Sequence, residues 1–238
     1  MKDILKVMRF DYLSAKGVAL PALVLCMVIF GTLSMVYSPV IASYLGFLPM
    51  LFVVPLQGIA EKNGFNKLYG TLPVRRKNIT RARFLYIFLV FFAVELCCSA
   101  IAFISFSIKV YRFLPIRSSS TMTLIRESFK DPKLAVGMIW GVFAFACIIF
   151  SYMEMMGQIK GRENEFKIIL ITLGVLSAIV FLIGSLSNHD LLPPAKLPDM
   201  PSTVQGMICL GAVVNIIVFA LCIIFGEITA SILSKREL

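Results

Sequence analysis

Apolar and polar positions along this chain separate into long blocks instead of alternating at the period of a half-buried strand. Six stretches are nearly free of charge, at about 17–37, 39–59, 84–108, 134–157, 168–187 and 205–231. A helix needs roughly 20 apolar residues to cross the hydrocarbon core of a bilayer, so each stretch predicts a span. The first two form one uncharged run from Gly17 to Ala60, too long for a single crossing. Tyr37-Ser38-Pro39 divides it, because proline disfavours helix at the residue before it. Pro49 and Pro55 lie inside the second span and predict a kink there.

Two amphipathic pieces flank this first pair. In residues 1–16, Ile4, Leu5, Met8, Tyr12 and Ala15 recur at helical spacing among Lys2, Lys6, Arg9 and Lys16. That pattern predicts an interfacial helix in the headgroup plane. In the 60–83 loop, Phe65, Leu68, Tyr69 and Leu72 stand at i, i+3, i+4 and i+7. Gly70 and Pro73 supply stop signals, so this second helix is short. A short helix with one apolar stripe and a basic rim suits two roles, resting on lipid or docking in a groove of a partner protein.

Composition turns the block pattern into a class. Of 238 residues, 59% are hydrophobic and 15% charged, whereas soluble domains run at about 45–50% and about 25%. The expectation is an all-α polytopic membrane protein, one permease-like domain over 1–238 with six transmembrane helices. The N-terminal segment does not read as a cleaved signal: its charged stretch is long, and no small-residue cleavage site follows.

Charge then orients the spans. Lys and Arg accumulate on the cytoplasmic side. The face with both termini and the 60–83 and 158–167 loops holds 16 of the 23 basic residues, and the other face holds 7. Both termini are therefore expected in the cytoplasm. The 109–133 loop on the other face is itself basic and is expected to form a short surface helix around Leu124 to Phe129. The net charge of +10 then reflects topology and attraction to anionic headgroups, not nucleic-acid binding. Arg75, Arg76, Lys77, Arg81 and Arg83 form the basic set expected at the membrane interface before the third span.

Reactive chemistry is sparse. The six cysteines all fall in expected spans without C-x-x-C spacing, and the single histidine, His189, lies in a loop, so no metal site is expected. There is no G-x-x-x-x-G-K-[ST] phosphate loop, no H-E-x-x-H and no G-x-S-x-G, and no enzymatic activity is expected of the chain itself. A charge at the centre of a span costs about 2.5–3.5 kcal/mol on insertion scales. Glu95, near the middle of the third span, is therefore the candidate residue for a translocation cavity, against an equal reading as a structural glutamate. Glu154 and Glu227 fall toward the cytoplasmic ends of their spans, where interfacial placement or salt bridges to the basic loops are expected. Asn215, mid-span in the sixth, reads as a helix–helix hydrogen-bonding residue.

The stretch Glu61 to Leu85, "EKNGFNKLYGTLPVRRKNITRARFL", resembles the signature of bacterial type-2 ABC transporter permeases. These show an acidic-Lys-Asn start, a Leu-Tyr pair, a Leu-Pro turn, basic residues and an arginine shortly before an aromatic-rich span. Within that family the chain is most similar to small permeases that export phenol-soluble modulins and antimicrobial peptides. The resemblance implies that the loop is a coupling helix seated on a separate ATPase. Glu61, Lys62, Asn63, Leu68, Tyr69, Leu72 and Pro73 match the motif, Phe65 belongs to the same apolar stripe, and Arg83 is the pre-span arginine. Larger members carry re-entrant helices between the fifth and sixth spans. Here four prolines (Pro193, Pro194, Pro198, Pro201) occupy that connection and argue against helix.

The resemblance further implies a bacterial plasma-membrane exporter of two permease chains, identical or closely homologous, with two cytoplasmic ATPase subunits. This chain would hold no cofactor, ATP and Mg being bound by the ATPase. Cargo would be amphipathic or hydrophobic, membrane-active peptides first, in toxin export or antimicrobial-peptide resistance. The rival reading is a non-transporting anchor or sensor subunit whose basic loop binds lipid or a regulator.

Overall fold

The computed structural model describes residues 2–36, 38–53, 76–108, 131–161 and 203–235, together with seven positions between 167 and 177. Among these, four long helices make the bundle: α1 (Lys2–Val36), α2 (Arg76–Ile108), α3 (Pro132–Lys160) and α4 (Val204–Lys235). A 3-10 helix, Pro39–Phe47, follows α1 and leads through a turn at Leu48 and Pro49 into helical residues 50–53. No strand occurs among the described residues.

The break expected at Tyr37-Ser38-Pro39 is a helix boundary. Ser38 is extended, its hydroxyl accepts the Val40 amide at 3.3 Å, and Pro39 takes the first helical position. Asp131 caps α3 in the same way, accepting the Lys133 amide at 2.9 Å with Pro132 behind it. At the other end, Gly161 leaves α3 with φ +87°, a left-handed conformation that favours glycine.

Contacts fix the direction of each helix. Val7 and Met8 of α1 pack with Ile79 and Ala82 of α2, and further along both helices the Ser105 hydroxyl donates to the Ser34 carbonyl at 2.8 Å. The two helices therefore run parallel. The 39–53 segment returns between them, with Leu45 against Cys98, then Phe52 against Tyr86 and Val53 beside Ile87. Helices α3 and α4 are parallel to each other and antiparallel to α2: Gly211 lies under Trp140, and Cys222 lies beside Cys147. The starts of α1 and α2 and the ends of α3 and α4 thus gather at one end of the bundle. That end carries Lys6, Arg9, Lys77, Arg81, Lys160 and Lys235 and is called the basic end below.

Among the described residues, four segments are long and apolar enough to cross a membrane: Ala19–Val36, Lys77–Ile108, Pro132–Lys160 and Val204–Lys235. The second expected span appears, over its described part, as the shorter apolar helix Pro39–Val53. Most of the fifth, 168–187, lies outside the described residues, as do residues 54–75 and 109–130.

Two boundaries differ from the sequence expectation. Residues expected to divide into an interfacial helix at 1–16 and a span from 17 form one continuous 35-residue helix. Helix α2 begins at Arg76, eight residues before the expected span. The reason is geometric. At 1.5 Å per residue, 33 to 35 residues make about 50 Å of helix, well beyond the ~30 Å hydrocarbon core. A helix does not end where the bilayer does, so charges mark the membrane boundary and not the helix boundary. Pro21 stays inside α1, and the residue four before it, whose carbonyl loses its partner, is Gly17.

The core is apolar and thin, as a bundle in lipid needs. Phe88, Phe91, Phe143, Cys147, Val218 and Cys222 make its centre between α2, α3 and α4. Large apolar side chains such as Val24, Leu25, Ile216 and Ile223 point outward, where lipid tails accept them.

Candidate functional site

Helix α2 is the axis of the polar chemistry. Its basal turns divide into three faces. Ile79, Ala82 and Tyr86 meet α1. Arg83 turns toward α3, where its Nη1 donates to Glu154 Oε1 at 2.7 Å, and both side chains are buried, 6% and 3% exposed. Arg81 turns toward α4 and grips Glu227 with two donors, Nε to Oε1 at 2.5 Å and Nη2 to Oε2 at 2.9 Å. That pair is half-exposed, and Lys77 lies 3.9 Å from the same carboxylate. Glu154 Oε1 also accepts the Gln158 amide at 2.7 Å.

Each link follows from local sequence. Arg81 and Arg83 are two apart, so on a helix they diverge by about 200° and address different neighbours. Glu154 and Gln158 are four apart and share a face. Gly226 faces Phe84, and even a Cβ there would stand in ordinary contact with the ring at 3.4 Å, so α4 lies close to α2 beside Glu227.

Halfway along α2, Glu95 is 2% exposed. It meets Asn215 of α4, whose Nδ2 donates to Glu95 Oε1 at 3.4 Å and to the Gly211 carbonyl at 3.1 Å. Glu95 Oε2 and Asn215 Oδ1 have no hydrogen-bond partner among the described residues. Gly211 lies flat against Trp140, since a Cβ there would stand 2.3 Å from the indole ring. Glu95 is thus buried where α2 meets α4 of one chain. Two turns nearer the basic end, Cys147 and Cys222 sulfurs are 3.8 Å apart, with the Ser151 hydroxyl 3.3 Å from Cys222.

Of the residues expected from the sequence to act, Glu61, Lys62, Asn63, Phe65, Leu68, Tyr69, Leu72, Pro73 and Arg75 lie outside the described residues. Arg76 opens α2. Lys77 and Arg81 stay partly exposed at the basic end, while Arg83, two residues on, is buried inside the bundle. The salt bridges expected for Glu154 and Glu227 are present, and their partners, unassigned from the sequence, are Arg83 and Arg81. The signal available was one acidic residue in each of two otherwise uncharged spans. Asn215 has the interhelical hydrogen bond expected of it, and its partner is Glu95. No group of three or more His, Cys, Asp or Glu that could hold a metal occurs among the described residues.

A bundle of long apolar helices, charged at one end and crossed by buried interhelical polar links, defines a polytopic membrane protein. The family is given by comparison. A model of the ABC-2 family transporter proteins matches residues 8–225, and the chain belongs to that family, the membrane permeases of ABC transporters. Membership implies an ABC ATPase as partner, the permease being the transport component. No curated protein and no solved structure matches the chain.

Proposed function

We propose that this chain is the permease of an ATP-driven exporter of amphipathic or hydrophobic cargo, membrane-active peptides first. The observation that carries the reading is family membership over residues 8–225, joined to the sequence of residues 60–75, which leads directly into α2. In this reading Phe65, Leu68, Tyr69 and Leu72 form the apolar stripe of a coupling helix, flanked by Glu61, Lys62, Asn63 and Pro73, and the stripe docks on the ATPase. Arg75, Arg76 and Lys77 hold the loop at anionic headgroups.

Helix directions support six crossings. Parallel α1 and α2 call for a return between them, and parallel α3 and α4 call for another, which the apolar 168–187 stretch is long enough to make. The basic end then faces the cytoplasm by charge bias, with both termini on that side. Two permease chains and two ATPases make the working unit. Closure of the ATPases on ATP moves the loop, and the helices around Glu95 part to admit cargo from the interior of the pair.

Co-purification tests the reading. The tagged chain, isolated from its native host in mild detergent, should bring a stoichiometric P-loop ATPase, and Leu68→Asp should lose it while inserting normally. A preparation without ATPase, under conditions that preserve a reference transporter complex, leaves the anchor or sensor reading in its place.

A further inference from the structure

A permease driven from one loop must pass motion from the helix that follows the loop to helices that do not touch it. The structure offers a specific route. Helix α2 starts at Arg76, directly after the loop. Within two turns it is tied by charge to two other helices, through Arg83–Glu154 to α3 and through Arg81–Glu227 to α4. Both acids sit near the ends of their helices at this same level. Elsewhere α2 meets α3 and α4 mainly through apolar groups such as Phe88, Phe91, Phe143 and Val218, with Glu95–Asn215 a long, weak link.

The two kinds of contact respond differently to force. Apolar side chains slide past one another at small cost, because each new position still offers dispersion contacts. A buried ion pair cannot slide: separating it strands a charge in an apolar medium. A two-pronged guanidinium–carboxylate contact adds orientation, since both N–H···O bonds break if either helix rotates.

We infer that Arg81–Glu227 and Arg83–Glu154 are a transmission clamp, making the basal turns of α2, α3 and α4 one rigid body that follows the loop. These four are positioning residues, and none is assigned to the cargo path. The inference rests on the proposed permease function and goes beyond it, because docking at the loop does not require that α3 and α4 be driven through α2.

The test uses the full complex with its co-purified ATPase. A bimane label at Phe30→Cys, in a chain whose native cysteines are replaced by serine, reports α1 against α3 at the far end of the bundle, where Phe30 packs on the cluster that contains Ile139. There Trp140, the chain's single tryptophan, serves as quencher. ATP with vanadate should change the quenching in the parent chain. The paired variants Arg81→Gln with Glu227→Gln, and Arg83→Met with Glu154→Met, keep the interior neutral, so the chain should fold. They should still bind ATPase and hydrolyse ATP, yet lose the quenching response. The charge swaps Arg81→Glu with Glu227→Arg, and Arg83→Glu with Glu154→Arg, should restore it. An unchanged response in the neutral pairs, with ATPase bound, overturns the clamp and leaves the permease reading intact. Absence of any co-purified ATPase overturns both.

Discussion

Removing the Glu154 carboxylate while Arg83 stays should destabilise the bundle far more than removing both. The pair is 2.7 Å between charged atoms, with side chains only 6% and 3% exposed, so neither charge can be solvated by water in place. Breaking a buried pair from one side costs about 3–5 kcal/mol. Loss of the acceptor used by Gln158 at 2.7 Å adds roughly 1 kcal/mol. Ordinary interhelical hydrogen bonds in membranes are worth only about 0.6 kcal/mol on average, so a loss of that size would mean the pair behaves as a neutral contact. The expectation for Glu154→Ala is therefore a loss of at least about 3 kcal/mol. Arg83→Met with Glu154→Met strands no charge and fills similar volume, and should return to within about 1 kcal/mol of the parent. Reversible unfolding of the purified chain in mixed micelles of mild detergent and SDS measures both. A single variant costing under about 1 kcal/mol, or a double variant as unstable as the single one, refutes the reasoning.

Other perturbations follow from the same contacts. Arg81→Gln should cost no more than about 1 kcal/mol in that titration, because its pair with Glu227 is 38% and 43% exposed. Gly211→Val should destabilise by about 1–3 kcal/mol, since even a Cβ there meets the Trp140 ring at 2.3 Å; Trp140→Leu in the same chain should recover part of that loss. A membrane-permeant oxidant should join Cys147 to Cys222, whose sulfurs are 3.8 Å apart. Intact-mass and alkylation analysis should then show two thiols lost from the parent and none from Cys147→Ser.

The bundle was legible because hydropathy blocks are a local signal. The stretches expected at 84–108, 134–157 and 205–231 lie inside α2, α3 and α4, and Ser38-Pro39 marks a break by backbone chemistry alone. What was hidden was hidden by distance along the chain. Arg83 pairs with a residue 71 positions away and Arg81 with one 146 away. From the sequence both are arginines before a span, and even the motif position of Arg83 names no partner. The same holds for Glu95: its depth in a span was readable, but its contact with Asn215, 120 residues on, depends on the register of two antiparallel helices. The continuity of α1 is hidden for another reason: charge ends at Lys16, but nothing in Lys16-Gly17 stops a helix.

The central claim is that the loop before α2 touches an ATPase. A photo-crosslinking amino acid at Leu68, activated in intact cells, tests this directly. The account predicts a protein adduct that carries the G-x-x-x-x-G-K-[ST] sequence and disappears when Tyr69→Asp is added. Adducts formed only with lipid, or with a protein lacking that sequence, would contradict it.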